Sequence, residues 1–102
     1  MEIRLTEPKS ALAELLRISN KSGKLIEVHH SNIFSSDQLD QSFARTVFKF
    51  DKNQVIVYDA FTNGHTGIGP NSLYEAMIYF GVNENDAIQL VFENDSSFSI
   101  RL

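Results

Sequence analysis

The chain has no cysteine. That absence excludes disulfide staples, thiol nucleophiles, zinc ribbons and iron–sulfur clusters together, and leaves stability to packing alone. A second absence is of cations: no Lys or Arg occurs between residues 53 and 100. The same span carries six acids, Asp59, Glu75, Glu84, Asp86, Glu93 and Asp95, whereas residues 1 to 52 hold eight Lys or Arg against seven Asp or Glu. Arg101 brings the net charge to −4. Such a C-terminal half repels phosphate backbones and attracts cationic surfaces, with a strength set by salt. No window approaches the ~18 uninterrupted apolar residues of a membrane span. Met1 to Leu5 alternates as a strand does and lacks the long apolar centre of a secretory signal. The expectation is a cytoplasmic protein with no membrane partner.

Catalytic signatures are equally sparse. There is no Gly-x-Ser-x-Gly elbow, and the serines gather in turn-like runs at 31 to 36 and 96 to 99. His29, His30 and His65 are the imidazoles available to a metal, but strand neighbours point to opposite faces and no carboxylate stands at a ligand spacing, so no metal is expected. Arg45, Lys49 and Lys52, with Phe43 and Phe48 on the same hairpin, form the closest approach to a nucleic-acid surface. Three cations in a protein of pI near 5.2 make nucleic acid an unlikely partner.

What is present is 102 residues, 42% of them apolar, enough for one modest core and a single domain over 1–102. Met1, Ile3 and Leu5 start a strand. Thr6 is placed to cap a helix with Pro8 in its first turn, and Ala11, Leu12, Leu15, Leu16 and Ile18 form its apolar stripe. Leu25 to His30 reads as a strand able to lie parallel to the first through a crossover. Ser31 to Ser42 reads as a surface loop. Residues 43 to 50 and 54 to 61 alternate on either side of a turn at Asp51, Lys52 and Asn53, predicting a hairpin. A helix begins near Pro70, carries Leu73, Ala76, Met77 and Phe80, and ends at Gly81, with Val82 placed to touch Met77. Ile88, Leu90 and Phe92, then Phe98, Ile100 and Leu102, alternate as a terminal hairpin. The fold class is therefore α+β: a mixed, mainly antiparallel sheet of about six strands with two helices on one face, in the order β-α-β-β-β-α-β-β.

The stretch joining the hairpin to the second helix invites a chemical reading. Gly64, His65, Thr66, Gly67, Ile68, Gly69, Pro70, Asn71 and Ser72 combine glycines, a helix start and hydroxyls, the ingredients of an anion site. The P-loop Lys is missing, Ser72 replaces the third glycine of a dinucleotide fingerprint, and Pro70 removes a donor amide. A small active site of Tyr58, Asp59 and His65 is the one acid–base arrangement the spacing offers, with Asp59 bracing loop amides as the plainer role. The functional expectation is non-enzymatic, without cofactor: an inhibitor that binds a protein with a basic surface, such as the immunity or antidote protein of a toxin, a nuclease among the targets. Its docking surface joins Asp59, His65, Glu75, Glu84 and Asp86. Two alternatives stay open: a small-molecule or nucleotide binder using Gly67, Gly69, Asn71 and Ser72, and a structural subunit whose apolar helix, Tyr74 and Tyr79 included, packs in a homodimer.

Overall fold

Side-chain alternation builds the sheet. The computed structural model describes residues 1–34, 42–64, 67–94 and 96–102. In it β2 (Leu25–Phe34), β3 (Ser42–Phe50) and β4 (Gln54–Tyr58) run antiparallel, β1 (Glu2–Ile3) adds parallel to β4, and β5 (Phe98–Arg101) adds antiparallel to β2, giving the order β1-β4-β3-β2-β5. Val28 and His30, Ala44, Thr46, Phe48 and Phe50, and Val55 and Val57 are all buried. Their strand neighbours point to the other face, which no helix among the described residues covers. The core side is closed by α1 (Pro8–Ser19), through Ala11, Leu15 and Ile18, and by α2 (Ile68–Tyr79), through Leu73, Ala76 and Met77. Phe48 and Phe61, both wholly buried, meet edge to face at 6.1 Å beneath these helices. Each such ring contributes roughly 1.5–3 kcal/mol by leaving water.

The α+β class, the mixed sheet and the placement of two helices on one face follow the sequence expectation. The sheet has five strands because residues 88 to 93 are helical. Asn83 caps a short helix, α3 (Glu84–Ile88), by accepting from the amides of Asn85 and Asp86, and the helix continues into a π-helical segment, Gln89–Glu93. Ala87 and Val91, four residues apart, are wholly buried. The apolar run is thus read at helical spacing, and no terminal hairpin forms. β5 pairs instead with β2.

Three further differences concern boundaries and strand pairing. β2 runs on to Phe34, pairing Ser31 to Phe34 with Ser42 to Arg45, where polar composition suggested loop. β1 and β2 do run in the same direction, but β4 and β3 lie between them. Glu7 rather than Thr6 caps α1, its carboxylate accepting from the Lys9 and Ser10 amides at 3.2 and 2.7 Å. Pro8 holds the preceding residue extended, as a cap position requires, and Glu7 is that residue. At the other end of α2 the predicted glycine stop is present: Gly81 has φ +96°, its amide donates to Ile78, and Val82 donates to Met77. These are the two bonds of a Schellman cap.

Candidate functional site

The glycine stretch is occupied with structural work. β4 ends at Tyr58, and Asp59 adopts φ +64°. From there its side chain accepts the Ala44 amide at 3.0 Å while its own amide donates to the Ala44 carbonyl at 2.7 Å, closing the β3–β4 ladder. Phe61 then plunges into the core. Beyond Thr62, two residues reach the π segment: Asn63 donates its side-chain amide to the Leu90 carbonyl there and to that of Ser96 beyond it, and the Gly64 amide donates to the Val91 carbonyl at 2.7 Å. A π turn shifts its carbonyls out of ordinary helical register, and these donors meet them.

The α2 start lies next along the chain. Gly67 is its N-cap at φ +144°, with no side-chain cap, and its carbonyl accepts from Asn71. Only Ile68 and Gly69 can offer free amides in the first turn, since Pro70 has none. At Gly69 an added Cβ would stand 2.5 Å from the Thr62 hydroxyl. Substituting this glycine therefore disturbs packing whether or not anything binds there. Ser72 is buried, and Asn71 is exposed beside Glu75. His65 lies outside the described residues.

The acidic residues fall into separate settings. Asp59 is committed to the sheet end. Glu75, on α2, borders a shallow recess with Lys9, Ile68 and Asn71. Glu84 and Asp86 occupy the first turn of α3, and the Tyr74 hydroxyl reaches the Glu84 carboxylate at 3.5 Å. Burial first, then the Glu84 charge, raises the Tyr74 phenol above its ordinary pKa. Tyr74, Glu75, Ile78 and Tyr79 are contiguous on the α2 surface by helical geometry. Ile78 is 38% and Tyr79 58% exposed. Glu75 and Glu84 thus flank an apolar, tyrosine-containing stripe. The ion pairs of the described residues involve Glu2, Glu14 and Glu27, and none of them engages Glu75, Glu84, Asp86 or Glu93.

The sheet's uncovered face has the opposite character. Its register stacks Gln54, Lys49, Glu27 and Arg101 in one row, Glu2, Ile56, Val47, His29 and Ser99 in the next, and Tyr58, Arg45 and Ser31 in a third. At the β1 edge the Tyr58 hydroxyl donates to Glu2 at 3.0 Å and Arg4 lies 4.4 Å above the Tyr58 ring. The tyrosine hydrogen bond, followed by that from Arg4, lowers the Glu2 pKa. Tyr58 and Asp59 therefore point to different tasks and do not assemble an acid–base pair.

His29 and His30 take opposite faces, as alternation requires. His29 pairs with Glu27 on the open face at 3.1 Å, and His30 is buried with its Nδ1 2.7 Å from Thr46 Oγ1. Among the described residues no group of three or more His, Asp or Glu is placed to hold a metal ion. Phe48 belongs to the core, while Arg45 and Lys49 share the open face with His29, Ser31 and Gln54. The alternation of β3 alone placed Arg45 and Lys49 together. The contribution of β2 and β4 came only with strand register. No family model, curated protein or solved structure matches the chain. Among the described residues no helix is long and apolar enough to cross a membrane.

Proposed function

We propose that the domain is a protein-binding inhibitor that docks its α2–α3 surface on a partner with a basic face, in the manner of an immunity protein against a toxin, with a nuclease as the target class. The observation that carries this reading is the stripe of Tyr74, Ile78 and Tyr79 set between Glu75 and Glu84, whose carboxylates have no ion pair among the described residues. Protein interfaces combine aromatic and aliphatic anchors with a polar rim, and tyrosine is enriched among the residues that dominate affinity. Unpaired carboxylates add long-range attraction to a cationic partner and raise the association rate at low salt. The glycine stretch offers a rival anion site few donors, because Pro70 has no amide N–H and the Asn71 amide is spent on the Gly67 carbonyl.

The test is affinity capture from native extract at low salt with three baits: the wild-type protein, Glu84→Lys/Asp86→Lys, and Tyr79→Ala. The wild type should retain one basic protein in stoichiometric amount, released by salt, and both variants should retain much less. Equal retention by all three baits would overturn the assignment of this surface. Sedimentation of the purified domain separates a hetero-partner from the homodimer alternative.

A further inference from the structure

The open sheet face carries a surface recess whose described lining is rich in hydrogen-bond donors. A depression of about 340 Å3 sits over Val47 and is bordered by Arg45, Lys49, His29, Ser31 and Gln54. Arg45 and Lys49 lie on either side of Val47 along β3, His29 and Ser31 come from β2, and Gln54 from β4. Residues four apart on a strand are separated by roughly 13 Å, so two long cationic side chains standing at that spacing flank a common space. Among the described residues no carboxylate borders the recess, although the chain as a whole is acidic. Arg45 has no ion pair among those the described residues make, whereas Lys49 shares Glu27 with His29 and Arg101.

We propose that this recess is an anion site for the phosphoryl group of a small phosphate ester. The guanidinium of Arg45 offers paired N–H donors matched to two phosphoryl oxygens. Lys49 supplies a second, compact charge from the opposite side, and the Ser31 hydroxyl and Gln54 amide offer neutral donors at the rim. Two cations facing one space favour a dianion over a monoanion. The flat, solvated sheet leaves the rest of the ligand in water, so the phosphoryl group itself supplies the recognition. Glu27 is the built-in competitor: it lies outside the recess, 3.7 Å from Lys49 and 3.1 Å from His29, and holds the Lys49 charge partly away from an incoming anion. The site lies on the opposite side of the sheet from α2 and is independent of the inhibitor reading.

Inorganic phosphate is the probe, titrated into the full chain at constant ionic strength made up with chloride, with amide chemical shifts followed by NMR. Saturable shifts centred on His29, Ser31, Arg45, Val47 and Lys49 are expected. Arg45→Gln should weaken the phosphate affinity by about tenfold or more, the effect of losing one charge-assisted contact. Glu27→Gln should tighten it, because the charges of Lys49 and Arg101 are released together. Lys21→Gln, a cation at the far end of α1, serves as control and should leave the affinity unchanged. Non-saturating shifts, shifts spread evenly over Lys9, Lys21 and Lys24, or an affinity indifferent to both Arg45→Gln and Glu27→Gln would overturn the proposal. Thermal melts of each variant separate loss of binding from loss of fold, and the opposite signs expected for the two variants cannot arise from general destabilisation.

Discussion

His30 and Thr46 face each other across the β2–β3 ladder with Nδ1 and Oγ1 2.7 Å apart, both side chains fully shielded from water. The Phe98 ring stacks on the imidazole at a centroid distance of 5.4 Å. A polar pair in this position ties two central strands to the β5 edge. Thr46→Val keeps the volume and removes the hydroxyl, leaving a buried ring nitrogen without that partner. The expected loss is about 1–3 kcal/mol, read as a lower urea midpoint at unchanged slope. A Thr46→Val protein as stable as the wild type would show that the hydroxyl is dispensable.

Asn63 is another buried polar anchor. It bridges the Leu90 carbonyl at 3.3 Å and the Ser96 carbonyl at 2.9 Å, beside the Gly64 to Val91 bond. Asn63→Ala removes the bridge, and native-state hydrogen exchange should then accelerate at the Gly64 amide before the central strands respond. Asn63→Asp is predicted to be worse at neutral pH, because a carboxylate would face two carbonyl oxygens. Acidification should recover part of that loss as the carboxyl gains a proton to donate. Exchange at Gly64 unchanged in Asn63→Ala would mean that the π segment holds itself.

The sequence was legible where one periodicity dominated. The hairpin expected over residues 43 to 50 and 54 to 61 formed as the β3–β4 pair, with β4 ending three residues early at Tyr58, and the spacing of Ala11, Leu15 and Ile18 and of Leu73, Ala76 and Met77 matched the two main helices. It misled where two periods fit the same letters. Ile88, Leu90 and Phe92 alternate, yet Ala87 and Val91 are the wholly buried pair, and β-branched and aromatic residues favour the strand reading on propensity alone. The signal for the helix lay just upstream, in Asn83 followed by Glu84 and Asp86, a cap residue with acids in the first turn. A polar run hid the end of β2, since Ser31 carries no apolar mark although it pairs with Arg45. The open-face recess was half legible: Arg45 and Lys49 share a face by alternation, but His29, Ser31 and Gln54 join them through long-range register, which local sequence does not encode. The acidic set was visible as a composition. Its division between the sheet end, α2 and α3 required the fold.

Glu27 gives the pH dependence a definite sign. Burial pushes its carboxyl pKa up, but the His29 hydrogen bond and the charges of His29, Arg101 and Lys49 outweigh that, and the net shift is downward. A carboxyl whose folded-state pKa is depressed stabilises the fold above its unfolded value, ~4.3, and loses that contribution as pH falls through the lower folded value. Glu27→Gln mimics the protonated group at every pH. The stability difference between wild type and Glu27→Gln, measured by urea unfolding, should therefore favour the wild type near neutrality and shrink once the pH drops below about 4. Lys49 and Arg101 are substantially exposed, at 46% and 76%, so added salt should narrow the same difference at neutral pH. A difference that stays constant from neutral to strongly acidic solution would show that Glu27 contributes by shape rather than charge, and would remove it as the competitor for the cations around the recess.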